Sequence, residues 1–273
     1  MTENPRELLH TEFGKTIFKQ FTKALADYRL VSEGDKIAVC ISGGKDSMLL
    51  AVLFSDWQRH SPVPFEVKFL VMDPGYSAAN REMIEQNAIK LGIPITVFDT
   101  DIFGAVENVR SNPCFLCSKM RRGHLYNKAR ELGCKKIALG HHYDDVIESI
   151  LMGMIYGGQV QTMLPRVRSK NFAGMELIRP LYYVRERDIE RWRDACGLRF
   201  LRCACRFTER CGEATGEELS KRAEIKKLIA YLAEKNPQIE ANIFRSVENV
   251  RLDRIMSYKD NDRIYTFLED FDK

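Results

Sequence analysis

From Lys36 to Ser47 the chain reads KIAVCISGGKDS, the most informative stretch of its 273 residues. Lys36–Ile41 has the apolar run of a buried strand, and Met48–Gln58 is apolar almost all round, as in a helix packed on a sheet. Two glycines lie between them, where the backbone can turn sharply and approach a phosphate. Because exposed N–H groups and the positive end of a helix favour anions, we expect Ser42–Ser47 to grip the phosphates of ATP.

This loop is not a Walker A loop. That motif needs a glycine five residues before its Gly-Lys, and position 39 is Val39. A second Gly-Lys pair, Gly14-Lys15, fails the same test because position 9 is Leu9. The remaining alternative is an ordinary strand-to-helix turn that happens to contain two glycines.

Each polar residue of the loop has an expected role. The hydroxyls of Ser42 and Ser47 add donors, and Lys45 adds a cation. Asp46 orients the loop or helps to hold Mg²⁺. We therefore assign Lys45 and Asp46 to the catalytic machinery.

The sequence on either side of the loop alternates between strand-like and helical patterns, which predicts an α/β fold with a parallel sheet and helices on both faces. An amphipathic helix is predicted over Thr11–Tyr28, and further helices over Ala78–Leu91 and Ser118–Leu132. After Pro180 the sequence pattern changes to that of charged helices, with a cysteine-rich stretch between them. We divide the chain into an N-terminal helical segment (1–30), an α/β domain (31–206) and a small helical C-terminal appendage (207–273).

Parallel sheets bind ligands at the carboxyl ends of their strands. Three segments lie at such ends: the glycine loop, Met72-Asp73 and the run Gly140–Asp145. We expect the adenine near Met72 and Asp73. Asp144 and Asp145 start a helix, where they hold Mg²⁺ or cap the helix. The predicted ATP-binding residues are Ser42, Gly43, Gly44, Lys45, Asp46, Ser47, Met72, Asp73, Gly140, His141, Asp144 and Asp145.

Bulk properties describe a globular protein with a mild net charge of +4, which permits an anionic partner such as RNA. No apolar run is long enough for a transmembrane helix, and the first ten residues do not form a secretory signal. We therefore expect a cytoplasmic protein with no membrane partner. Eight cysteines in that compartment point to metal binding or catalysis rather than to disulfides.

The cysteines form two groups with expected function. Cys114 and Cys117 form a Cys-x-x-Cys pair that we place on a loop before a helix, and Cys203, Cys205 and Cys211 follow about ninety residues later. The pair alone fits a redox site, half of a zinc site or part of an iron–sulfur site. Three thiolates on a [4Fe–4S] cluster leave one iron open, as a reactive centre requires. Small buried hydrophobes are the expectation for Cys40, Cys134 and Cys196.

Taken together, SGGKDS at Ser42–Ser47, CFLC at Cys114–Cys117, GHHYDD at Gly140–Asp145 and the late cysteines near Cys203 resemble the TtcA family. These are tRNA 2-thiocytidine synthetases of the PP-loop N-type ATP pyrophosphatase superfamily. The resemblance runs from about Phe21 to about Arg251. It implies a PP-loop domain over 31–206 and ATP-dependent thiolation of a tRNA cytidine, with release of AMP and pyrophosphate.

The resemblance also implies cofactors and partners. These are a [4Fe–4S] cluster, ATP with Mg²⁺, tRNA, and a sulfur donor such as a cysteine desulfurase or sulfide; a homodimer is left open. Carried over, Cys114 and Cys117 match the first two cluster ligands and count among the catalytic residues. Cys203 matches the third ligand best. The late pair is a Cys-x-Cys here, a departure from the family's pattern that makes Cys205 the second choice.

Basic residues offer surfaces for RNA phosphates. Lys119, Arg121 and Arg122 follow the Cys-x-x-Cys pair directly, beside the expected cluster. For the mixed charges of Arg185–Arg193 we prefer a solvated face laced with salt bridges. The other candidates are Arg166, Arg168 and Lys170 on an expected loop, and Lys221, Arg222, Lys226 and Lys227 on a late helix.

Other functions remain open at this level. An enzyme of the same fold with another acceptor, such as a 2-thiouridine synthetase, a lysidine-type ligase or a small-molecule enzyme, would share the loop. A non-catalytic ATP-binding redox sensor would bind ATP without releasing pyrophosphate. In an RNA-binding module with a structural zinc site, the cysteines would bind zinc and stabilise the fold.

Overall fold

The computed structural model describes residues 4–106, 113–201, 221–261 and 263–271. Strands and helices alternate through most of this range, as the sequence patterns predict. The strands are β1 Lys36–Ile41, β2 Glu66–Asp73, β3 Ile95–Asp99, β4 Lys136–Ala138, β5 Arg166–Arg168, β6 Glu176–Ile178, β7 Ser257–Asp260 and β8 Arg263–Thr266. The first eight α-helices are α1 Pro5–His10, α2 Lys19–Asp27, α3 Lys45–Trp57, α4 Ala78–Leu91, α5 Ile102–Val106, α6 Pro113–Glu131, α7 Tyr143–Gly157 and α8 Glu186–Ala195. A long helix follows at Lys221–Lys235, and shorter ones at Ile239–Ser246 and Leu268–Phe271.

The central sheet has six strands in the order β3-β2-β1-β4-β6-β5. All its neighbouring strands are parallel except β5, which runs antiparallel to β6. The chain moves outward in one direction from β1 to β3 and then crosses back to β4, on the other side of β1. A ligand site is expected where the strand order reverses, at the carboxyl ends of β1 and β4. The predicted α/β fold class is confirmed.

Strand β1 shows why the sheet is covered on both faces. Successive side chains of a strand point to opposite faces. Ile37, Val39 and Ile41 belong to a core with helices α1 to α3 and α8. Ala38 and Cys40 belong to a second core with residues of α6. Because both sets are buried, β1 reads as a continuous apolar run rather than an alternating one.

The N-terminal helix is divided, unlike the single helix predicted over Thr11–Tyr28. Helix α1 begins at Pro5, where proline is tolerated, and Asn4 accepts a hydrogen bond from the N–H of Arg6 (3.1 Å). A π-helical stretch covers Gly14–Phe18, and α2 follows it. The apolar spacing was nevertheless informative, because Phe13, Ile17 and Phe21 are fully buried in the core below the sheet.

Two further local predictions were wrong. Helix α6 begins at Pro113, so the Cys-x-x-Cys pair lies within a helix and not on a loop before it. Arg166–Arg168, placed on a loop, forms the antiparallel strand β5. The C-terminal part of the chain is helical, as predicted, and it also contains a hairpin of β7 and β8.

The chain divides into two compact units. The first comprises 1–146 and 164–218 and holds the sheet, the N-terminal helices and α8. The second comprises 147–163 and 219–273. Within it, the buried carboxylate of Glu148 accepts a hydrogen bond from Arg222 (2.6 Å). Among the residues that the structure describes, no helix combines the length and apolar character needed to cross a membrane.

Candidate active site

The glycine loop follows β1 and leads into α3. Gly43 has φ +85°, a left-handed conformation that glycine adopts without strain. The N–H of Ser42 donates to the hydroxyl of Ser47 (3.1 Å), and that hydroxyl donates to the carbonyl of Gly44 (2.9 Å). The serines therefore brace the loop from inside.

Packing from outside also requires glycine in the loop. A Cβ at Gly43 would lie 2.8 Å from the side chain of Ile84 and 2.9 Å from that of Leu201. The carbonyl of Gly43 accepts a hydrogen bond from the N–H of Leu201 (3.1 Å). The segment 198–201, which precedes the cysteine-rich stretch, is thus anchored on the loop.

Lys45 stands at the start of α3 between two carboxylates. Its Nζ lies 3.1 Å from Oε1 of Glu186 and 3.2 Å from Oδ1 of Asp46. Burial alone would lower the pKa of Lys45, but these two carboxylates outweigh it and raise the pKa above 10.5. The lysine is therefore a permanent cation at neutral pH, as phosphate binding requires.

Asp46 is the residue of the loop best suited to a metal ion. Its Oδ1 is buried, and the ionisable groups nearest to it within the described residues are the ammonium of Lys45 (3.2 Å) and the ring of His142 (3.9 Å). Within the same ranges no three His, Cys, Asp or Glu side chains form a ready metal cage. This fits Mg²⁺, which is commonly held by one or two carboxylates together with substrate phosphates and water.

The GHHYDD run meets the loop at the end of β4. A Cβ at Gly140 would lie 3.0 Å from backbone atoms of Asp46 and Ser47, so only glycine allows this approach. His142 is buried, and its backbone N–H donates to Oδ2 of Asp145 (2.9 Å). In return, the backbone N–H of Asp145 donates to Nδ1 of the His142 ring (3.4 Å). This reciprocal pair resembles a capping box.

Asp144 joins α7 to α8. Its Oδ2 accepts from the N–H of Glu186 (2.7 Å), and its Oδ1 lies 3.1 Å from the guanidinium of Arg185. His141 is half-buried beside this network. Asp144 and Asp145 both have structural partners here, so helix capping and ion pairing account for their geometry without a metal.

Met72 and Asp73 end β2, and both are buried. Any contact of Met72 with an adenine would involve its main chain, because its side chain is only 2% exposed. Oδ1 of Asp73 accepts from the N–H groups of Gly75 (2.9 Å) and Tyr76 (2.7 Å), and Oδ2 pairs with Arg81 (3.2 Å). Asp73 therefore builds the turn that follows β2.

The cysteine pair lies at the start of α6, with Cys114 and Cys117 three positions apart. Cys117 is half-buried on this helix. Cys203 and Cys205 lie outside the described residues. Cys40, Cys134 and Cys196 are buried, and burial raises the pKa of Cys40 to about 12.

One open cavity of about 1110 Å³ joins these elements within the first unit. The glycine loop and the turn after β2 contribute to its wall, and so do α6, α8 and the segment 198–201. Its lining includes four basic and three acidic side chains, and Arg193 is paired with Asp194 (2.8 Å). Lys45, Arg121 and Arg199 are therefore the cations best placed for an anionic ligand. The lining residues are Ser42, Gly44, Lys45, Asp46, Tyr76, Met83, Phe103, Arg121, Glu190, Arg193, Asp194, Leu198, Arg199, Phe200 and Leu201.

The basic groups proposed for RNA differ in their surroundings. Lys119 and Arg122 are exposed, whereas Arg121 is half-buried and lines the cavity. Arg166 is paired with Glu176 (2.8 Å), which makes it a structural residue of the sheet edge. In the second unit, all four basic residues of the helix Lys221–Lys235 that we selected are exposed.

Sequence patterns missed two residues of this site. Glu186, the partner of Lys45, was included in a solvated charged helix because nothing in its spacing separates it from neighbouring acids. Tyr76 was not selected at all. Its only signal was its position just after Asp73-Pro74-Gly75, a turn at the carboxyl end of a strand.

The comparisons with known proteins agree with this geometry. The PP-loop domain family, ATP_bind_3, matches residues 14–204. A tRNA-cytidine(32) 2-sulfurtransferase of Alkalilimnicola ehrlichii is 36% identical over 255 residues, covering 91% of this chain and 78% of that protein. The enzyme of the same name from Bdellovibrio bacteriovorus is 36% identical and covers 88% and 90%.

The chain belongs to the PP-loop domain family. It is a PP-loop protein related over most of its length to tRNA sulfurtransferases, and the resemblance inferred from the motifs is confirmed. Among solved structures, the U34-tRNA thiolase NcsA from Methanococcus maripaludis with its [4Fe-4S] cluster is similar, with a TM-score of 0.68. It is 22% identical and covers 89% of this chain and 78% of that chain, which supports the fold.

Proposed function

We propose that this protein is an ATP-dependent tRNA sulfurtransferase that converts a cytidine of tRNA to 2-thiocytidine. The observation that carries the proposal is one cavity lined by both the phosphate loop and α6, the helix of the Cys-x-x-Cys pair. Relatives that share most of the chain's length carry the name tRNA-cytidine(32) 2-sulfurtransferase.

The first half of the reaction is activation of the base. The carbonyl oxygen of the target base attacks the α phosphate of ATP, and pyrophosphate leaves. The loop N–H groups and Lys45 stabilise the charge that develops on the phosphates. Asp46 would hold Mg²⁺ through its carboxylate, and Glu186 and Asp46 keep Lys45 charged and in place.

The second half replaces oxygen by sulfur. A sulfide attacks the activated carbon, and AMP leaves with the former carbonyl oxygen, so that a C=S group remains. The donor set fits an iron–sulfur cluster: Cys114 and Cys117 supply two thiolates, and Cys203, with Cys205 as second choice, supplies the third. When bound, a [4Fe–4S] cluster with three thiolates supplies an open iron that can carry sulfide.

Partners follow from this chemistry. A sulfur donor, either a cysteine desulfurase or sulfide, must deliver the sulfur atom. The exposed Lys119 and Arg122 lie on α6 and are placed to contact tRNA phosphates beside the cavity. We propose that the enzyme works in the cytoplasm with its tRNA substrate, and a homodimer is compatible with this scheme.

The test is mass spectrometry of tRNA nucleosides from cells that lack the protein. We expect 2-thiocytidine to disappear, to return with the wild-type chain, and to stay absent with Lys45→Met. Loss of a 2-thiouridine instead would assign another acceptor to the same chemistry. If no thionucleoside changes, the thiolation proposal fails.

A second measurement separates the enzyme from a non-catalytic ATP-binding sensor. We expect the protein, purified without air, to catalyse exchange of pyrophosphate into ATP when tRNA is present. A protein that binds ATP but shows no exchange would be a sensor. Iron content and absorption near ~400 nm distinguish a cluster from structural zinc.

A further inference from the structure

Tyr76 lies between the two halves of the proposed site. Its hydroxyl donates a hydrogen bond to the carbonyl of Ser42 at the start of the glycine loop (3.3 Å). Its ring packs edge-on against Phe103, with centroids 6.1 Å apart and an interplanar angle of 66°. Both rings line the cavity, so aromatic surface adjoins the loop that binds phosphate.

The position of this ring is fixed by the fold. Asp73, only 6% exposed, accepts the N–H of Tyr76 at 2.7 Å. The same carboxylate accepts the N–H of Gly75, whose φ of +105° favours glycine. A buried acid and a left-handed glycine thus hold the tyrosine in one place, as expected for a residue that positions a ligand.

Tyr76 shares the cavity with the cysteine helix. Arg121, which belongs to α6 and lies one turn from Cys117, lines the same cavity as Tyr76. Burial raises the pKa of the Tyr76 hydroxyl, and the positive charge of Arg121 lowers it. Tyr76 therefore contacts the proposed ATP loop and lines a cavity whose wall also includes the helix of the Cys-x-x-Cys pair.

We propose that Tyr76 is a nucleobase-binding residue of this site, and that the base it holds is the tRNA base that receives sulfur. The inference rests on the proposed function. A base that undergoes chemistry must leave its stack, and an aromatic side chain offsets the lost stacking. The acceptor base must lie between the α phosphate and the incoming sulfur, and Tyr76 lines the cavity whose wall includes both the glycine loop and α6. The adenine of ATP is the other source of a nucleobase in this cavity.

Two fluorescent probes distinguish these sources on the full-length holoprotein purified without air. One is an anticodon stem-loop RNA with pyrrolocytosine at the acceptor position, and the other is 2-aminopurine riboside triphosphate. Stacking on an aromatic ring quenches both. The variants are Tyr76→Phe, which keeps the ring, Tyr76→Leu and Tyr76→Ala, which remove it, and the control Tyr183→Ala, whose hydroxyl contacts Tyr28 outside the cavity.

We expect the pyrrolocytosine signal to be quenched by the wild type, by Tyr76→Phe and by Tyr183→Ala. Tyr76→Leu and Tyr76→Ala should lose at least half of the quenching and raise KM for tRNA roughly tenfold, with KM for ATP within about twofold of wild type. Tyr76→Leu keeps bulk beside Phe103, so it tests the ring even if Tyr76→Ala does not fold.

Three results would overturn the inference. Loss of 2-aminopurine quenching with intact pyrrolocytosine quenching would assign Tyr76 to adenine. If Tyr76→Leu and Tyr76→Ala quench both probes as the wild type does, Tyr76 only lines the cavity and binds no base. If the wild type quenches neither probe, no base stacks on an aromatic ring in this site. Because quenching reports binding alone, it stays measurable if the wild type proves unable to thiolate tRNA, so the two proposals fail separately.

Discussion

The ammonium group of Lys45 lies 3.1 Å from the carboxylate of Glu186, although the two residues are 141 positions apart. Because this ion pair engages the lysine that we assign to ATP, we expect the phosphates to compete with Glu186 for it. The folded pKa of Lys45 is raised above 10.5, so the stability it contributes is complete below that pH and is lost as pH rises through the folded pKa. Lys45 therefore adds no pH dependence to ATP binding between pH 6 and 9.

The first prediction concerns Glu186→Gln. The amide removes a negative charge from the path of the phosphates while Asp46 still keeps Lys45 charged. The net contribution of a solvent-accessible ion pair is at most about 1 kcal/mol after desolvation and screening, so we expect ATP to bind up to roughly fivefold more tightly in the absence of tRNA. Equilibrium dialysis of ATP at ~0.15 M salt measures this.

The matched variant is Lys45→Met, which changes the other member of the Lys45–Glu186 ion pair. It should weaken ATP binding at least tenfold because it removes the cation assigned to the phosphates. The control is Arg191→Gln, which removes an exposed charge from α8, the helix of Glu186. It should leave the affinity for ATP unchanged. Weaker ATP binding by Glu186→Gln would mean that Glu186 supports Lys45 in the complex instead of competing for it.

The second prediction concerns the contact between Gly140 and the loop. Gly140→Ala places a methyl group 3.0 Å from the backbone of Asp46 and Ser47, neither of which can move aside like a flexible side chain. We expect the free energy of unfolding to fall by about 1–3 kcal/mol and ATP affinity to fall with it. Denaturant unfolding and dialysis measure the two effects.

Gly123→Ala is the control for that substitution. Gly123 lies inside α6, and a Cβ there meets nothing within 4 Å. Alanine should stabilise the helix by up to about 1 kcal/mol. Equal effects of the two substitutions would show that the approach of Gly140 to the loop carries no special constraint.

The third prediction concerns alkaline stability. Burial raises the pKa of Cys40 to about 12 from an ordinary 9.0. Because the folded pKa is above the unfolded one, the contribution of this thiol is complete below pH 9 and is lost between pH 9 and 12. Cys40→Ala should therefore lose less stability than the wild type when unfolding is compared at pH 8 and pH 10. An identical pH dependence in both proteins would contradict this account.

The fourth prediction concerns iron. Cys114→Ala and Cys117→Ala should each lose most bound iron and the absorption near ~400 nm after purification without air. Cys134→Ala, which changes a buried thiol in the second core of the sheet, should keep both. Separate substitution of Cys203 and Cys205 assigns the third ligand, and equal iron in those two variants would count against Cys203.

Local sequence sufficed where local forces decide the structure. The loop from Ser42 to Ser47 was predictable because a buried strand, glycines and a helix start are all written in consecutive residues. The helix Ala78–Leu91 was predicted with its bounds, since Ser77 caps its start, and Gly92 ends it with φ +64°. The start of α6 was predicted too late, at Ser118, although Pro113 is a typical first helical residue.

Other features depend on contacts that no short stretch contains. Strand β5 has only three residues, and its pairing with β6 decides it rather than its own pattern. Glu186 is one of several acids in a charged helix, and only the fold brings it to Lys45. Tyr76 becomes informative only when β1 and β2 are neighbours, which places the turn after β2 beside the glycine loop.

Lys45, Asp144 and Glu186 stand at or near the starts of three helices, and the proposed nucleotide site lies where those starts meet. A fragment with the glycine loop would keep the motif and lose the charges around it. Ligand affinity is therefore a property of the whole first unit. Because ATP would bind only the folded unit, its binding adds to the free energy of unfolding. A thermal melt with increasing ATP would thus measure the assembly of the site as well as its occupancy.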